Sequence, residues 1–551
     1  MHGGTGVCVV GLQIAGHVSM DEVRAALKSL SARHPVLSAR IFKPPKSHRP
    51  ELHVCRPPQP ITVRERNVDD VAIGETSTDP RRSGSNPVKD SDFHADVASR
   101  NGLLHRVVEA ELNTPMMDGQ GDTCVDVFQV HVYASHSNGT LVVLRSHIAA
   151  LDEHSAPPIA AGFLEELRRA KAEINRTLSS SSPSYSSSSP TSSPLSPHQD
   201  KTAPPSLPPP LVALLPKSLS VKSASVKGTF AQAFNAVGYV RNALVSSHLP
   251  FEPGRADSRK NSFRTRFVTV AFTREETAAL LAAAESHGCS LFSLECAAGL
   301  KAAARMKQLG GRTEIFSLGS AIGCRAILDP PLPSTALGEY MSMLPLKQEV
   351  SEKLPFWDVA TSISARAESA LQRQQQFTDM PVLELLFSTA MKMPSLSPDH
   401  SLRTCFLTAG MLAPLRVDWQ LSAADATSAT SRTDLHRSES GNTRSISSCT
   451  SSPSSSPTNS TESHKQQQQQ QQVHLEHVQL EEVQLEQVHL EHVLGPVVSA
   501  HGVGPAIAIP DTLSDGVLRL SFVFVTPLFT HERMSTFAAL TRDLLLEAAA
   551  S

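Results

Sequence analysis

Apolar positions along the chain fall into strand-like and helix-like runs separated by long polar tracts. VCVVGLQIAG, close to the start, is almost continuously apolar and predicts a buried strand. Ser19-Met20-Asp21-Glu22 has the form of a capping box, and Val23, Ala26, Leu27 and Leu30 follow at the spacing of one helix face. Val125 to Tyr133 and Leu141 to His147 are apolar runs joined by Ser137-Asn138-Gly139-Thr140, whose Asn-Gly pair predicts a hairpin. The second of these strands runs directly into HIAALDEHS.

The pattern resumes after a polar stretch. Phe267–Phe272 predicts a strand, and Thr273-Arg274-Glu275-Glu276 is a second capping box opening a helix that Gly288 closes. A helix over roughly Leu291 to Leu309 ends at Gly310-Gly311, and a strand near Ile315–Ile322 leads to a Pro-rich loop. Phe356-Trp357-Asp358 opens another helix, Val517–Val525 reads as a strand, and Thr530–Ala549 reads as an amphipathic helix with Met534, Phe537, Leu540 and Leu544 inward. Strands and helices mix in both halves, so the expected class is α/β or α+β with two lobes.

Three tracts break this pattern. Thr177–Pro210 is Ser and Pro, with too little apolar surface to offset roughly 1–2 kcal/mol of backbone entropy per ordered residue. Ala424–Gln472 combines Ser and Thr with the glutamine run Gln466–Gln472. Val473–Val493 repeats the pentads VHLEH, VQLEE, VQLEQ and VHLEH. A period of five keeps Val and Leu on neither a strand face nor a helix stripe, so this tract is expected to be an unpacked expansion inside a loop.

Composition narrows the function classes. The 551 residues are 40% hydrophobic, and 50 Lys and Arg against 53 Asp and Glu give a net charge of -3. No charge field calls for nucleic acid or an anionic membrane. The eight cysteines, at 8, 55, 124, 289, 296, 324, 405 and 449, show no metal-binding or redox spacing, and the reducing cytoplasm is the expected compartment. Cys289 and Cys296 are read as one face of a buried helix. Neither a signal peptide nor a membrane span is expected. Met1 lies directly before the first predicted strand, which leaves open whether a further stretch precedes it.

Common catalytic signatures are missing. There is no G-x-S-x-G elbow and no G-x-x-x-x-G-K phosphate loop, and Gly3-Gly4-Thr5-Gly6 precedes a strand instead of following one. His147, Asp152 and His154 lack the helical i,i+4 logic of known metal sites, so no metal is expected.

Several fragments, in order, resemble a known superfamily. ALKSLSARHPVLSARIF, NGLLHRVVEAEL and a strand ending in HIAALDEHS are similar to the N-terminal lobe of the condensation-domain and alcohol-acetyltransferase superfamily. RTRFVTVAFTREETAALLAAAESHGCSLFSLECAAGLKAAARM, LPFWDVATSISARAESAL and FLTAGML resemble the second lobe of its phthiocerol/phthiodiolone dimycocerosyl transferase-like branch, and Val517–Ala549 resembles its closing strand and helix. The resemblance implies two chloramphenicol-acetyltransferase-like lobes with a substrate channel between them. Residues 1–178 would form the first lobe, 179–221 a disordered linker, 222–423 the first part of the second lobe, 424–493 a disordered insertion and 494–551 the closing strand and helix. Both insertions are expected outside the packed cores.

The resemblance also implies a chemistry. An acyl thioester, on coenzyme A or a carrier protein, would enter as co-substrate and meet an alcohol or amine, with no bound cofactor and a monomeric enzyme. The family signature is HHxxxDG: its second His is the general base, and its Asp is structural and pairs with an Arg of the second lobe. Aligned on the carboxylate, Asp152 matches the Asp and His147 the first His. The base position is Ile148, and the Gly after the Asp is Glu153.

Isoleucine has no lone pair, and a positioned base contributes on the order of 10² to 10⁴ in rate. Adjacent strand residues point to opposite faces, so Ile148 is expected to face the channel with His147 turned into the first lobe. His147 is read as a structural histidine. Arg325, in GCRAIL, is the expected partner of Asp152, the alternative being a surface charge at a strand end. His154 is the candidate for a relocated base, the alternative being a solvated loop histidine. Two readings stay open: an acyltransferase acting through a moved base or proximity alone, and a silent family member that binds a ligand or partner.

Overall fold

The computed structural model describes residues 6–42, 44, 51–54, 59–68, 71, 100–116, 124–134, 139–180, 207, 209–216, 246–247, 249–250, 264–383, 416–417, 488–499, 507–514, 516–526 and 528–551. Its first lobe is built on a five-stranded sheet. Strand β1 (Val7–Ala15) pairs antiparallel with β7 (Gly139–His147), which pairs antiparallel with β6 (Phe128–Ala134), and β4 (Thr62–Asn67) runs parallel to β6 at the edge. β1 is buried on both faces, which its continuous apolar run requires. Helix α1 (Met20–Arg33) starts at the Ser19–Glu22 capping box and buries Val23, Ala26, Leu27 and Leu30, packing along α3 (Ala156–Ser180). Helix α2 (Arg100–Leu112) packs so closely on β1 that a Cβ on Gly11 would lie 2.6 Å from Val108 Cγ2.

The run read as one strand from Val125 to Tyr133 is broken at Val127. Cys124–Asp126 (β5) instead pairs with β2 (Ala39–Phe42), which carries β3 (Glu51–Val54) on its other side.

The second lobe holds a sheet in which β15 (Val517–Thr526) pairs with β8 (Arg264–Ala271), β14 (Asp511–Ser514) and β13 (Ile507–Ala508), with β11 (Arg416–Val417) beside β14. Helix α4 (Arg274–Ser286) starts at the Thr273–Glu276 capping box, and Gly288, at φ +62°, takes the left-handed conformation just past its end. Helix α5 (Leu291–Met306) is buried over most of its length between α6 (Phe356–Gln372) and α7 (His531–Ala550). Cys296 lies inside α5, whereas Cys289 lies in the connection before it and outside the face the spacing suggested.

A ladder of β9 (Glu314–Gly323) and β10 (Met341–Val350) completes this lobe. β10 was read as part of a Pro-rich loop. Pro345 sits inside it, but Ser342, Leu344, Leu346, Gln348 and Val350 alternate inward, the period of a half-buried strand.

Two expected boundaries are corrected. The last pentad does not stay in a loop: Val488 is buried, and Leu490–Val498 forms β12, pairing antiparallel with β1 at the edge of the first sheet. The second half of the chain therefore donates a strand to the first lobe, and neither 424–493 as an insertion nor 494–551 as purely second-lobe structure describes it. Gly495, at φ +106°, makes the bulge in this pairing possible, because a Cβ there would lie 2.5 Å from the Val9 carbonyl oxygen. At the linker, Leu211 and Leu214 are buried against Cys324, Leu328, Tyr340 and Phe377, so 179–221 includes a segment that packs on the second lobe. The Ser137-Asn138 turn, FLTAGML and most of the three polar tracts lie outside the described residues. No helix among the described residues is long and apolar enough to cross a membrane.

Candidate active site

The HIAALDEHS segment leaves β7 at His147 and turns at once. Leu151 N–H and Ala150 N–H donate to the His147 carbonyl, and Ile148 N–H donates to Gly6 O at 2.8 Å. Because Ile148 lies in this turn and not in the strand, strand alternation does not apply. A Cβ on Gly6 would lie 3.2 Å from Ile148 Cγ1 and 3.5 Å from His147 Cε1, so both side chains border the same glycine. His147 Nδ1 accepts from Ala149 N–H at 3.2 Å, and burial holds its imidazole below the ordinary histidine pKa.

Asp152 is the hub of the segment. It caps the short helical turn Glu153–Ser155, its Oδ1 accepting from Ser155 N–H and Oγ–H, each at 2.8 Å. Arg325, on the turn after β9, donates from Nη1 to Oδ2 at 2.9 Å and from Nη2 to Oδ1 at 2.8 Å. Tyr340 N–H adds a bond to Oδ2 at 2.9 Å. The carboxylate thus accepts five hydrogen bonds while 1% exposed, which is how a fully buried charge is held without an uncompensated desolvation cost. Arg325 is steadied in turn by the Ala336 carbonyl, at 2.8 Å from Nε, and by the Tyr340 ring, 5.2 Å from Cζ. Ser155 Oγ also accepts from Gly338 N–H at 3.1 Å. Asp152, Ser155, Arg325 and the Gly338–Tyr340 segment therefore join the two lobes through one buried network.

His154 faces the second lobe. Its Nε2 is buried with no hydrogen-bond partner, and a Cβ on Gly323 would lie 2.7 Å from it. Burial, with the nearby Arg325 charge, pushes its pKa down to about 4, against the pull of Asp152. A base that weak offers little driving force for proton abstraction near neutral pH.

Residues the sequence reading did not weigh gather at the same junction. Glu153 is half-buried and makes no side-chain hydrogen bond among the described residues. Burial, reinforced by Asp152 and Asp511, raises it to about 7. Glu339, in the middle of the Gly338–Tyr340 segment, has a solvent-exposed side chain, and its surroundings and Asp152 raise it to about 8. Glu295 on α5 is 1% exposed with neither carboxyl oxygen partnered, and burial and Asp511 hold its pKa well above the usual range. Two signals were available: a Glu in the signature's Gly position, and a lone Glu inside the apolar run LFSLECAAGL. No grouping of three or more His, Cys, Asp or Glu able to hold a metal is present among the described residues. A separate open groove of about 430 Å³, between β10 and α6, is lined by Lys347, Arg366 and Arg373 and shares no residue with this site.

Two lobes are thus tied through a buried Asp–Arg pair, and the second half of the chain lends a strand to the first lobe. Residues 261–398 match the family model of the phthiocerol/phthiodiolone dimycocerosyl transferase C-terminus. Among solved structures, the first condensation domain of the CDA synthetase is similar with a TM-score of 0.54 at 13% identity, covering 100% of this chain and 92% of that one. SgcC5 from Streptomyces globisporus gives 0.51 at 15% identity, covering 99% and 92%. Polyketide synthase associated protein 5 from Mycobacterium tuberculosis gives 0.51 at 12% identity, covering 99% and 94%. At these identities the structures show a shared fold, and with the family match they support a condensation/acyltransferase-like superfamily for the chain. No curated protein matches it.

Proposed function

We propose that the chain is an acyltransferase that takes an acyl group from a thioester, on coenzyme A or a carrier protein, and passes it to a hydroxyl or amine at the junction of the lobes. The observation that carries this reading is the Asp152–Arg325 network. It holds the segment bearing Ile148, Glu153 and His154 against the second lobe with three of the five hydrogen bonds to one carboxylate, the other two closing the turn itself. Holding two substrates in near-attack geometry contributes several kcal/mol to acyl transfer before any acid or base acts, and it needs a rigid junction of this kind. The cytoplasm and a monomeric state remain part of the proposal, together with the absence of a bound cofactor.

A second reading has its own observation. Ile148 is apolar and packs against the core, as a member that only binds a ligand or partner would allow. Purified chain incubated with a panel of acyl-coenzyme A and acyl-pantetheine thioesters, plus simple amines and alcohols, separates the two. Acylated product with equimolar free thiol supports transfer. Thioester binding by calorimetry without product supports the binding reading, and neither binding nor product overturns the proposal.

A further inference from the structure

We propose that the groove between β10 and α6 binds the phosphate-bearing end of coenzyme A, so that the acyl donor of this chain is an acyl-coenzyme A and not a carrier-bound thioester. The inference rests on the transfer reading above for the donor role and adds to it a binding site and a choice of carrier.

The groove encloses about 430 Å³, within the range of roughly 300–1,000 Å³ typical of small-molecule sites. Lys347 enters it from β10, and α6 forms the facing wall. Along that wall Ser362, Arg366, Ser369 and Arg373 succeed one another at steps of four, three and four residues, which sets them on one side of the helix. Ala365 and Ala370 line the groove as well, and their short side chains leave its volume open.

The lining holds three cationic side chains and no carboxylate. Arg366 Nε lies 3.4 Å from Ser362 Oγ, and Arg373 Nη1 donates to Ser369 Oγ at 2.7 Å. Among the described residues neither guanidinium takes part in a salt bridge. The carboxylate nearest in sequence, Glu368, is two residues from Arg366 and therefore on another side of the helix. There it accepts from Gln372 Nε2 at 3.2 Å.

This spacing selects the ligand. Arg366 and Arg373 are seven residues apart, roughly 10 Å along the helix axis, and a guanidinium fork fits phosphate oxygens bidentately. A nucleoside bearing a 3′-phosphate and a 5′-pyrophosphate offers separated anions to both arginines at once. A carrier-bound pantetheine arm has a single phosphodiester and would leave one of them unmatched. Position agrees with this. β10 begins next to Tyr340, whose N–H is bonded to Asp152, and Lys347 lies seven residues further on. At about 3.3 Å per residue that is roughly 23 Å along the strand, a span of the order of an extended pantetheine arm.

Titration calorimetry of the full chain with adenosine 3′,5′-bisphosphate, which has no pantetheine or acyl group, reads the groove alone. Saturable binding is expected, weakened by added salt and at least about tenfold weaker in Arg366→Gln/Arg373→Gln. Both side chains are exposed, and thermal melting checks that the double variant is folded. With hexanoyl-coenzyme A and hexanoyl-pantetheine as donors to hexylamine, the wild-type KM should be at least about tenfold lower for the coenzyme A thioester. The double variant should lose most of that preference. Absent bisphosphate binding, binding that inorganic phosphate matches at equal concentration, binding indifferent to the double variant, or turnover confined to a carrier-bound thioester overturns this inference alone. Bisphosphate binding that needs the arginines, with no thioester turned over, supports the groove as a site for these phosphates and overturns the transfer reading.

Discussion

The Arg325 guanidinium lies bidentate on the Asp152 carboxylate, at 2.9 Å and 2.8 Å, joining residues 173 positions apart in the chain. Both side chains are almost fully buried, at 6% and 0% exposure. Removing one partner leaves the other as an unpaired charge in a low-dielectric setting. Arg325→Met should therefore cost about 3–5 kcal/mol in urea unfolding, and Asp152→Asn/Arg325→Met should recover part of that loss. A single-variant cost below 1 kcal/mol would mean that the pair does not join the lobes.

A second buried cluster holds the first lobe together. Glu111 on α2 accepts from Tyr133 Oη and contacts His131 Nδ1 at 2.6 Å, and Arg145 Nε lies 3.1 Å from its other oxygen. Burial alone would raise Glu111, but His131 and Arg145 hold it below the ordinary range. Glu111→Leu leaves Arg145, 1% exposed, without its counter-charge. The expected loss is about 3–5 kcal/mol, read by chemical denaturation at pH 7.

The raised pKa of Glu153 makes a prediction about stability with a definite sign. The unfolded chain releases this proton near pH 4.3, whereas the folded protein holds it up to about pH 7. Stability from this group is therefore full below about pH 4 and falls as pH rises to about 7, then levels off. Allowing for the solvent that reaches the side chain, Glu153→Gln should stabilise the protein by about 1–2 kcal/mol at pH 8. At pH 4.5 it should change little. Equal effects at both pH values would contradict the shift.

The contact of His154 with Gly323 gives a test of its placement. A methyl group on Gly323 would meet the imidazole at 2.7–3.2 Å. Gly323→Ala should cost about 1–3 kcal/mol by overpacking, and His154→Ala in the same chain should remove most of that cost. Additive losses in the double variant would place the ring elsewhere.

Local signals were the most legible part of this chain. The capping boxes at Ser19 and Thr273 and the Gly288 stop describe short-range hydrogen bonding, and they mark α1 and α4 to within a residue or two. β10 was hidden by Pro345, because its alternation is shared with polar Ser342 and Gln348. β12 was hidden by the pentads: as an edge strand it needs few inward apolar positions, and Val9 and Gly495 set its register from outside the repeat. The Asp152–Arg325 pairing came from the family resemblance and from no spacing in the sequence. What raises Glu153 and Glu339 is the desolvating surroundings that the fold builds around them, with Asp152 beside both, and desolvation of that kind has no local sequence pattern.

The most direct measurement is the initial rate of acylation of hexanol by an acyl-coenzyme A, compared between the wild-type chain and Ile148→His, with thioester binding verified for both. The account places position 148 beside the reacting groups and holds that the missing base is what limits alcohol acylation. It predicts a wild-type rate near background and a rise of at least about tenfold in Ile148→His. Equal rates in the two proteins, with the thioester bound to both, would contradict it.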